Sequence, residues 1–225
     1  KWLHLPASAA ELARETAQVG MLTVATLLWD ANRSSKSFSR MYTEEWVEKL
    51  YRGFRRNLTA PFRFICLTDR QRTFTERAIE QDRIKAARPS YASCIEAYRI
   101  DGPMILVGLD TMVVGNIDHL AAWCETAKVQ ALPRDPYRPQ IACNGVALVP
   151  RGWTSIAKHH RGENDMEWVR KFPHVFIDDL FPGQVVSWKG HVEKHGAEGA
   201  RIIYFHGERK PHQLADHPLI REHWV

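Results

Sequence analysis

The sequence predicts an α/β protein with a mostly parallel central sheet and helices on both faces. Apolar segments of strand length alternate along the chain with amphipathic segments of helix length, an order typical of parallel sheets. With 225 residues, of which 44% are apolar, the chain can bury a sizeable core. We expect a single domain over residues 21–225, preceded by a helical extension over residues 1–20.

Two helices are predicted in the first part of the chain. Ser8 and Glu11 have the spacing of a capping box, which predicts a short helix that ends before Gly20. Between Tyr42 and Leu58, apolar residues recur at spacings of three and four, as on one face of an amphipathic helix. These residues are Trp46, Val47, Leu50, Tyr51, Phe54 and Leu58.

Strands are predicted where a short apolar run is bounded by polar or turn residues. The predicted strands cover residues 21–29, 62–69, 104–110, 129–134, 141–150, 185–189 and 200–207. Shorter helices are predicted from Asp118 and over residues 165–172. A polar loop, residues 30–40, follows the first strand, where α/β proteins often place ligand contacts. No element is predicted in the charged stretch 69–88.

The composition narrows the classes of function. Against 26 acidic residues stand 31 Lys and Arg, a mild excess that suits a polyanionic partner. Because the basic residues are mixed with acidic ones, a nucleic-acid-binding surface is not predicted. The longest apolar run, residues 21–29, is too short to cross a bilayer, and no secretion signal precedes it, so we expect a cytoplasmic protein without a transmembrane segment. The four cysteines lie far apart, which favours reduced thiols.

Polar residues that end the apolar runs are the candidate site residues, because ligands of open α/β sheets bind beyond the carboxyl ends of the strands. Asp110 ends the run that begins at Met104. A carboxylate in this place is costly unless a cation, a hydrogen-bond donor or water meets it. The alternative is that Asp110 caps a turn.

Two further candidates follow later strands. The pair Asn144-Gly145 lies within the run 141–150, where it either binds a ligand or forms a hairpin turn. The stretch FHGERKP over residues 205–211 contains a histidine, a glycine that permits close approach of a ligand, and two cations for an anion. The alternatives are a structural histidine and a solvated charged turn.

Four motifs occur in a set order along the chain: VGLDTMVVGNID, CNGVALVP, DMEWVRKF followed by VVSWKGHV, and FHGERKPH. Together they resemble bacterial glycosyltransferases of the GT-A fold, related to the family-8-like glycogenin and lipopolysaccharide-galactosyltransferase group. The stretch YTEEWVEKLYRGFRRNLTAPFRFICLTD is similar to the first helix and second strand of that group. The resemblance covers about residues 21–225.

The resemblance implies a GT-A sheet that binds a nucleoside-diphosphate sugar, a uridine one, and transfers the sugar to an unknown acceptor with retention of configuration. It implies Mn²⁺ or Mg²⁺ on the diphosphate, held by Asp110 and His206. His206 could instead donate to a phosphate. Lys210 would neutralise the leaving group, and Gly207 would allow its close approach.

The remaining roles are also implied by the resemblance. Asp165 would face the transferred sugar or the acceptor, although a helix N-cap is the alternative for this residue. Asn144 would contact the donor. Trp29, at the end of the first strand, would either stack on the nucleotide base or pack in the core.

The sequence also departs from the family pattern. Gly108 stands where the first Asp of the Asp-x-Asp motif belongs, and Cys94 stands where a basic residue faces the donor. Tyr204 holds the place of the metal-binding histidine of the glycogenin-type enzymes. These departures support an alternative function, a catalytically impaired nucleotide-sugar-binding protein on the same fold.

Overall fold

The computed structural model describes residues 20–225, so the helix predicted between Ser8 and Gly20 lies outside the described residues. The described residues form ten strands. These are β1 (Leu22–Leu28), β2 (Phe62–Thr68), β3 (Ile79–Arg83), β4 (Met104–Val107), β5 (Thr111–Val113), β6 (Gln130–Leu132), β7 (Val146–Val149), β8 (His174–Phe176), β9 (Val185–Ser187) and β10 (Ile202–Tyr204).

Helices connect and cover the strands. The α-helices of the described part are α1 (Glu44–Asn57), α2 (Asp118–Thr126), α3 (Ser155–His159), α4 (Asp165–Val169), α5 (Ile177–Leu180), α6 (Glu193–His195) and α7 (Pro218–His223). Segments of 3₁₀-helix cover Ser37–Ser39, Tyr91–Arg99 and Pro211–Leu214, and a π-helical turn covers Trp188–Val192.

The central sheet has seven strands in the order β3-β2-β1-β4-β7-β6-β8. The first four of these run parallel to one another, β7 is antiparallel to both β4 and β6, and β6 is parallel to β8. A second sheet has the order β5-β10-β9, with β10 antiparallel to β5 and parallel to β9. The prediction of a mostly parallel central sheet is confirmed.

The core has a layer on each face of the central sheet. On one face, Trp46, Leu50 and Phe54 of α1 pack in a cluster that includes Val24 of β1 and Phe64 of β2. The cluster on the other face joins residues of the strands to the 3₁₀ segment Tyr91–Arg99 and to α3 and α4. The predicted helices on both faces are present, although a 3₁₀ segment provides much of the second layer.

Each predicted strand is shorter in the structure, and two of these differences shape a cleft at the edge of the sheet. The strand predicted over residues 104–110 ends at Val107, and the chain turns at Gly108 before it enters the second sheet as β5. The strand predicted over residues 141–150 begins only at Val146. Residues 108–110 and 143–145, which precede or follow these strands, line the cleft.

The strand β3, which lies in the charged stretch 69–88, is not predicted by the sequence analysis. Ile79 is the one buried residue of β3, and its other residues are polar or charged. Charged residues are common on the outermost strand of a sheet because they discourage pairing with another chain. An edge strand therefore lacks the apolar pattern from which strands are predicted. The helix predicted over residues 165–172 is also shorter, since α4 ends at Val169.

None of the helices in residues 20–225 is long and apolar enough to cross a membrane. The predicted cytoplasmic location stays a prediction. All four cysteines are free thiols, as predicted. Cys66 and Cys124 are buried in the core, and burial raises the pKa of each thiol to about 12.

A buried guanidinium joins the carboxyl ends of β1 and β2 to the start of α1. The side chain of Arg72 is 2% exposed and bonds to Asp30 at 2.9 Å, Glu44 at 3.0 Å and Asp69 at 2.7 Å. Three carboxylates can lie this close together because the cation stands between them. Arg72 therefore fixes the first loop after β1 against the rest of the fold.

We predict that Arg72→Met lowers the free energy of unfolding by about 2–4 kcal/mol, because it leaves partly buried carboxylates without their cation. Arg70→Met is the matched control. Arg70 pairs with Asp30 at 2.7 Å but is about half exposed, so its loss should cost clearly less than the loss of Arg72. Urea unfolding at pH 7 measures both, and equal losses would contradict the role given to Arg72.

Candidate active site

A cleft of about 400 Å³ opens at the carboxyl ends of β1 and β4, beside the start of β7. The predicted site residues all line it: Trp29, Asp110, Asn144, Asp165, His206, Gly207 and Lys210. Aromatic and aliphatic side chains form most of the remaining wall. The structure thus brings the predicted residues together, while the role of each stays a prediction.

The pairing of β10 with β5 explains why residues 100 positions apart meet. Tyr204 lies opposite Thr111 in this pair, and the backbone N–H of Phe205 donates to the carbonyl of Asp110 at 2.9 Å. The loop that follows β10 is therefore held against the turn that follows β4. This register places His206, Gly207 and Lys210 around Asp110.

Lys210 and Asp110 form a buried ion pair. The Nζ of Lys210 donates to Oδ2 of Asp110 and, at 2.9 Å, to the carbonyl of Phe205. Tyr42 at the start of α1 donates its hydroxyl to the same Oδ2 at 3.0 Å. Burial and the neighbouring Asp110 raise the pKa of Tyr42 far above its usual range, so the hydroxyl stays protonated and donates. The cation that Asp110 requires is the ammonium of Lys210, which is 2% exposed.

The predicted metal site can be tested against these contacts. A divalent cation prefers several oxygen ligands, but Oδ2 of Asp110 already receives two donors. Within residues 20–225, no group of three or more His, Cys, Asp and Glu side chains is placed to hold a metal ion. Nε2 of His206 is hydrogen-bonded to Oγ of Ser187 at 2.7 Å. The residues present do not fit a metal held by the protein.

Gly108, in the place of the first Asp of the family motif, is tied to the same arrangement. A Cβ atom at this position would lie 2.8 Å from Oδ1 of Asp110. A side chain at residue 108 would therefore require the Asp110 carboxylate to shift from this position. The glycine and the ion pair are mutually compatible, whereas an Asp at residue 108 is not compatible with this position of Asp110.

His206 is held as a neutral ring. Burial, followed by the positive charges of Lys189 and Lys210, lowers its pKa below the ordinary value of 6.5. Ser187, at the end of β9, fixes Nε2 and also accepts from the backbone N–H of Gly190 at 3.0 Å. The ring of Tyr137, a residue 65% exposed, stands edge-on to His206 at 5.3 Å. A neutral imidazole in this place can hydrogen-bond a ligand without adding charge.

Asp165 and Asn144 form the polar part of the opposite wall. Nδ2 of Asn144 donates to Oδ2 of Asp165 at 2.7 Å, and Asp165 is only 9% exposed. Burial raises the pKa of Asp165, and the bond from Asn144 opposes that shift in part. The N-cap of α4 is Asn164, whose side chain accepts from Glu167 N at 3.2 Å. The alternative reading of Asp165 as the N-cap is therefore wrong.

Asn144-Gly145 is not a hairpin turn. A primed turn needs a positive φ at its asparagine, and no non-glycine residue in the described chain has one. Instead, Gly108 N donates to the carbonyl of Gly145 at 3.2 Å, which extends the β4–β7 pairing by one step. This contact directs the Asn144 side chain to Asp165.

Aromatic residues form part of the cleft wall next to the carboxyl end of β1. Trp29 lies edge-on to Tyr91 with ring centroids 6.4 Å apart, and the Tyr91 hydroxyl bonds to Ser39 Oγ at 2.8 Å. Phe38 also lines the cleft, and its ring centroid lies 5.6 Å from Nζ of Lys210. Trp29 is partly exposed and lines the cleft, so packing in the core does not account for all of its surface.

Several contributors to the site were not predicted from the sequence. Tyr42 was assigned only to the predicted helix, and Ser187 and Lys189 only to a strand. Tyr137 had no predicted role, and no local pattern distinguishes it. The reading of Arg209 and Lys210 as a solvated turn holds for Arg209, which is exposed and pairs with Glu193, but not for the buried Lys210.

We predict a strong energetic coupling between Asp110 and Lys210. Lys210→Met or Asp110→Asn alone should lower the free energy of unfolding by about 3 kcal/mol, because each leaves a buried group without its partner. The double variant should lose less than the two single losses together, by about 1–3 kcal/mol. Urea unfolding measures all three. Arg209→Met, which breaks an exposed pair next door, is the control and should cost under about 1 kcal/mol.

We also predict that Asp165→Asn changes how stability depends on pH. The raised pKa means that folded Asp165 holds its proton more tightly than the unfolded chain, whose value is near 3.8. Asp165 therefore lowers the free energy of unfolding as the pH rises from about 3.8, the pKa of the unfolded chain, through the raised pKa of the folded protein. Comparing wild type with the variant by urea unfolding across that range isolates the effect. A difference that does not vary with pH would contradict it.

Comparison with known proteins finds solved structures with a similar fold. No family model matches the sequence, and no curated protein sequence matches it. The crystal structure of the glycosyltransferase GlyE from Streptococcus pneumoniae TIGR4 is similar, with a TM-score of 0.57 and 12% identity over 85% of this chain and 56% of that chain. The apo structure of the bifunctional glycosyltransferase WbbM is similar, with a TM-score of 0.56 and 9% identity over 85% of this chain and 47% of that chain.

This chain therefore spans about half the length of either of these structures. At such low identity the likeness shows the fold alone. The described residues have the mixed α/β architecture, with a seven-stranded and mostly parallel central sheet, of a GT-A-like glycosyltransferase fold.

Proposed function

We propose that the protein is a glycosyltransferase that takes a sugar from a nucleoside diphosphate, a uridine one, and passes it to an acceptor that is still unknown. The observation that carries this proposal is the cleft itself. Aromatic side chains, buried carboxyl groups and a buried lysine line one cavity at the carboxyl edge of the sheet, where open α/β sheets bind ligands.

Two sets of cleft residues suit the two parts of a nucleotide sugar, its base and its diphosphate. Trp29, Phe38 and Tyr91 offer aromatic surface for a planar base. His206, Gly207 and Lys210 offer donors and a small residue for a diphosphate. An ammonium carries three N–H groups, and Asp110 and the Phe205 carbonyl occupy two of those on Lys210. The third can reach a phosphate oxygen.

Asp165 lines the same cleft and would hold the transferred sugar. Its carboxylate can accept hydrogen bonds from sugar hydroxyls, and Asn144 fixes its orientation. In the reaction, the oxygen of an acceptor hydroxyl bonds to the anomeric carbon of the sugar, the bond from that carbon to the diphosphate oxygen breaks, the nucleoside diphosphate leaves with the bonding electrons, and the hydroxyl proton passes to the departing diphosphate. Donors beside the diphosphate stabilise the charge that develops on the leaving group.

The finer parts of the resemblance stay predictions. These are retention of configuration, the family-8-like specificity and a location in the cytoplasm. No step is assigned to the predicted Mn²⁺ or Mg²⁺, because the residues around Asp110 and His206 do not fit a metal held by the protein.

The alternative is a protein that binds nucleotide sugars without turning them over. One specific observation favours it: the side chain of Cys94 lines the cleft where the family has a basic residue, and burial raises its pKa well above the ordinary value, so it brings no charge. Under this alternative the cleft binds the donor but lacks a cation that helps the leaving group depart.

We predict that the wild-type protein releases UDP from at least one member of a panel of UDP-hexoses, and that Asp165→Ala lowers the rate by about a hundredfold or more. Glu167→Ala is the matched control, because Glu167 lies on the same helix but is exposed. An assay of UDP release measures the rates. Donor binding without release would support the impaired binder, and no binding of any donor would contradict both functions.

A further inference from the structure

Lys189 is a cation beside the cleft that the proposed reaction has not used. It lies in the π-helical turn that follows β9, and it is half-buried. Within residues 20–225 its ammonium has no ion pair and no side-chain hydrogen bond. A half-buried ammonium without a carboxylate partner is unusual, because partial burial removes water that would otherwise solvate the charge.

The position of Lys189 is set by the loop that follows β10. Gly207 has a φ of +69°, a backbone conformation that other residues adopt only with strain. A Cβ atom on Gly207 would lie 3.4 Å from Nζ of Lys189. The ammonium is therefore placed directly over the backbone of a glycine that lines the cleft.

The surrounding structure holds this arrangement rigidly. The ring of Trp188, the residue before Lys189, stacks on Phe205 with a centroid distance of 5.0 Å and an angle of 16°. Ser187 Oγ joins Gly190 N to His206 Nε2, so both sides of Lys189 are tied to the loop that carries Gly207. Preorganised donors of this kind are the ones that stabilise charge in a transition state.

The balance of charge at this end of the cleft depends on Lys189. The charge of Lys210 is compensated by Asp110, and the ring of His206 is neutral. Asp135 also lines the cleft and acts on His206, but it pairs with Arg138 at 3.5 Å and with Arg170 at 3.7 Å, so Lys189 adds positive charge beside His206 and Gly207. A diphosphate is strongly anionic, and the ammonium of Lys189 can contact it beside His206 and Gly207.

We propose that Lys189 binds the diphosphate of the donor, together with Lys210, and that these two lysines take the place of the divalent cation. This inference rests on the proposed function, since it assumes a nucleoside-diphosphate ligand. It goes further by assigning a role to Lys189, for which the sequence analysis predicts only a strand, and by making diphosphate binding independent of metal.

The test is calorimetric titration of UDP and of uridine into the full chain, in EDTA and again in Mn²⁺. UDP should bind with the same affinity, within about twofold, in both conditions, whereas Lys189→Ala should weaken UDP by about tenfold or more. The affinity for uridine should be the same in Lys189→Ala and wild type, which shows that the variant still folds around the base.

Two further variants separate charge from structure. Lys189→Arg keeps the charge and should restore most of the UDP affinity. Lys194→Ala is the matched control, because Lys194 is exposed on α6 only five residues away, and it should bind UDP as wild type does.

The outcomes distinguish this inference from the proposed function. Binding of UDP that requires Mn²⁺, or that is unchanged in Lys189→Ala, would overturn the role of the lysines and leave the donor class standing. Failure of wild type to bind UDP in either condition would overturn the proposed function and this inference with it.

Discussion

The ion pair between Asp110 and Lys210 is the interaction on which the architecture of the site depends. It joins the turn after β4 to the loop after β10, and Tyr42 adds the start of α1 to the same carboxylate. An ammonium that is 2% exposed must have close partners, since burying an uncompensated charge costs several kcal/mol. Three separate parts of the chain are therefore fixed around one carboxylate, and the positions of His206, Gly207 and Lys189 follow from that.

The cleft combines apolar walls with a few polar groups, and the walls affect the chemistry of those groups. Removal of water strengthens each remaining electrostatic interaction, so a few donors can have a large effect on a bound anion. The same environment raises the pKa of Asp165 and lowers that of His206, in each case chiefly through burial. The site thus presents a carboxyl group that protonates more easily than usual on one wall, and a neutral imidazole beside a cation on the other.

Much of the fold could be predicted because β1, β2 and α1 have strong apolar patterns. The strands β3, β5 and β8 could not: β3 has a single buried residue, β5 follows directly on the turn after β4, and none of the residues of β8 is buried. The candidate residues were found because polar residues interrupt apolar runs, but their partners were not. The pairing of Lys210 with Asp110 depends on the register of β10 against β5, which connects residues 100 positions apart and leaves no local trace in the sequence.

We propose that lysine, not a metal ion, provides the positive charge at Asp110. The most direct measurement is a crystal structure of the complex with UDP, grown with Mn²⁺, with diffraction recorded at the manganese absorption edge. We expect Lys210 to remain paired with Asp110 and Lys189 to contact the diphosphate. No anomalous peak should lie between Asp110 and the phosphates. A manganese peak bound to Asp110, with Lys210 displaced from the carboxylate, would contradict it.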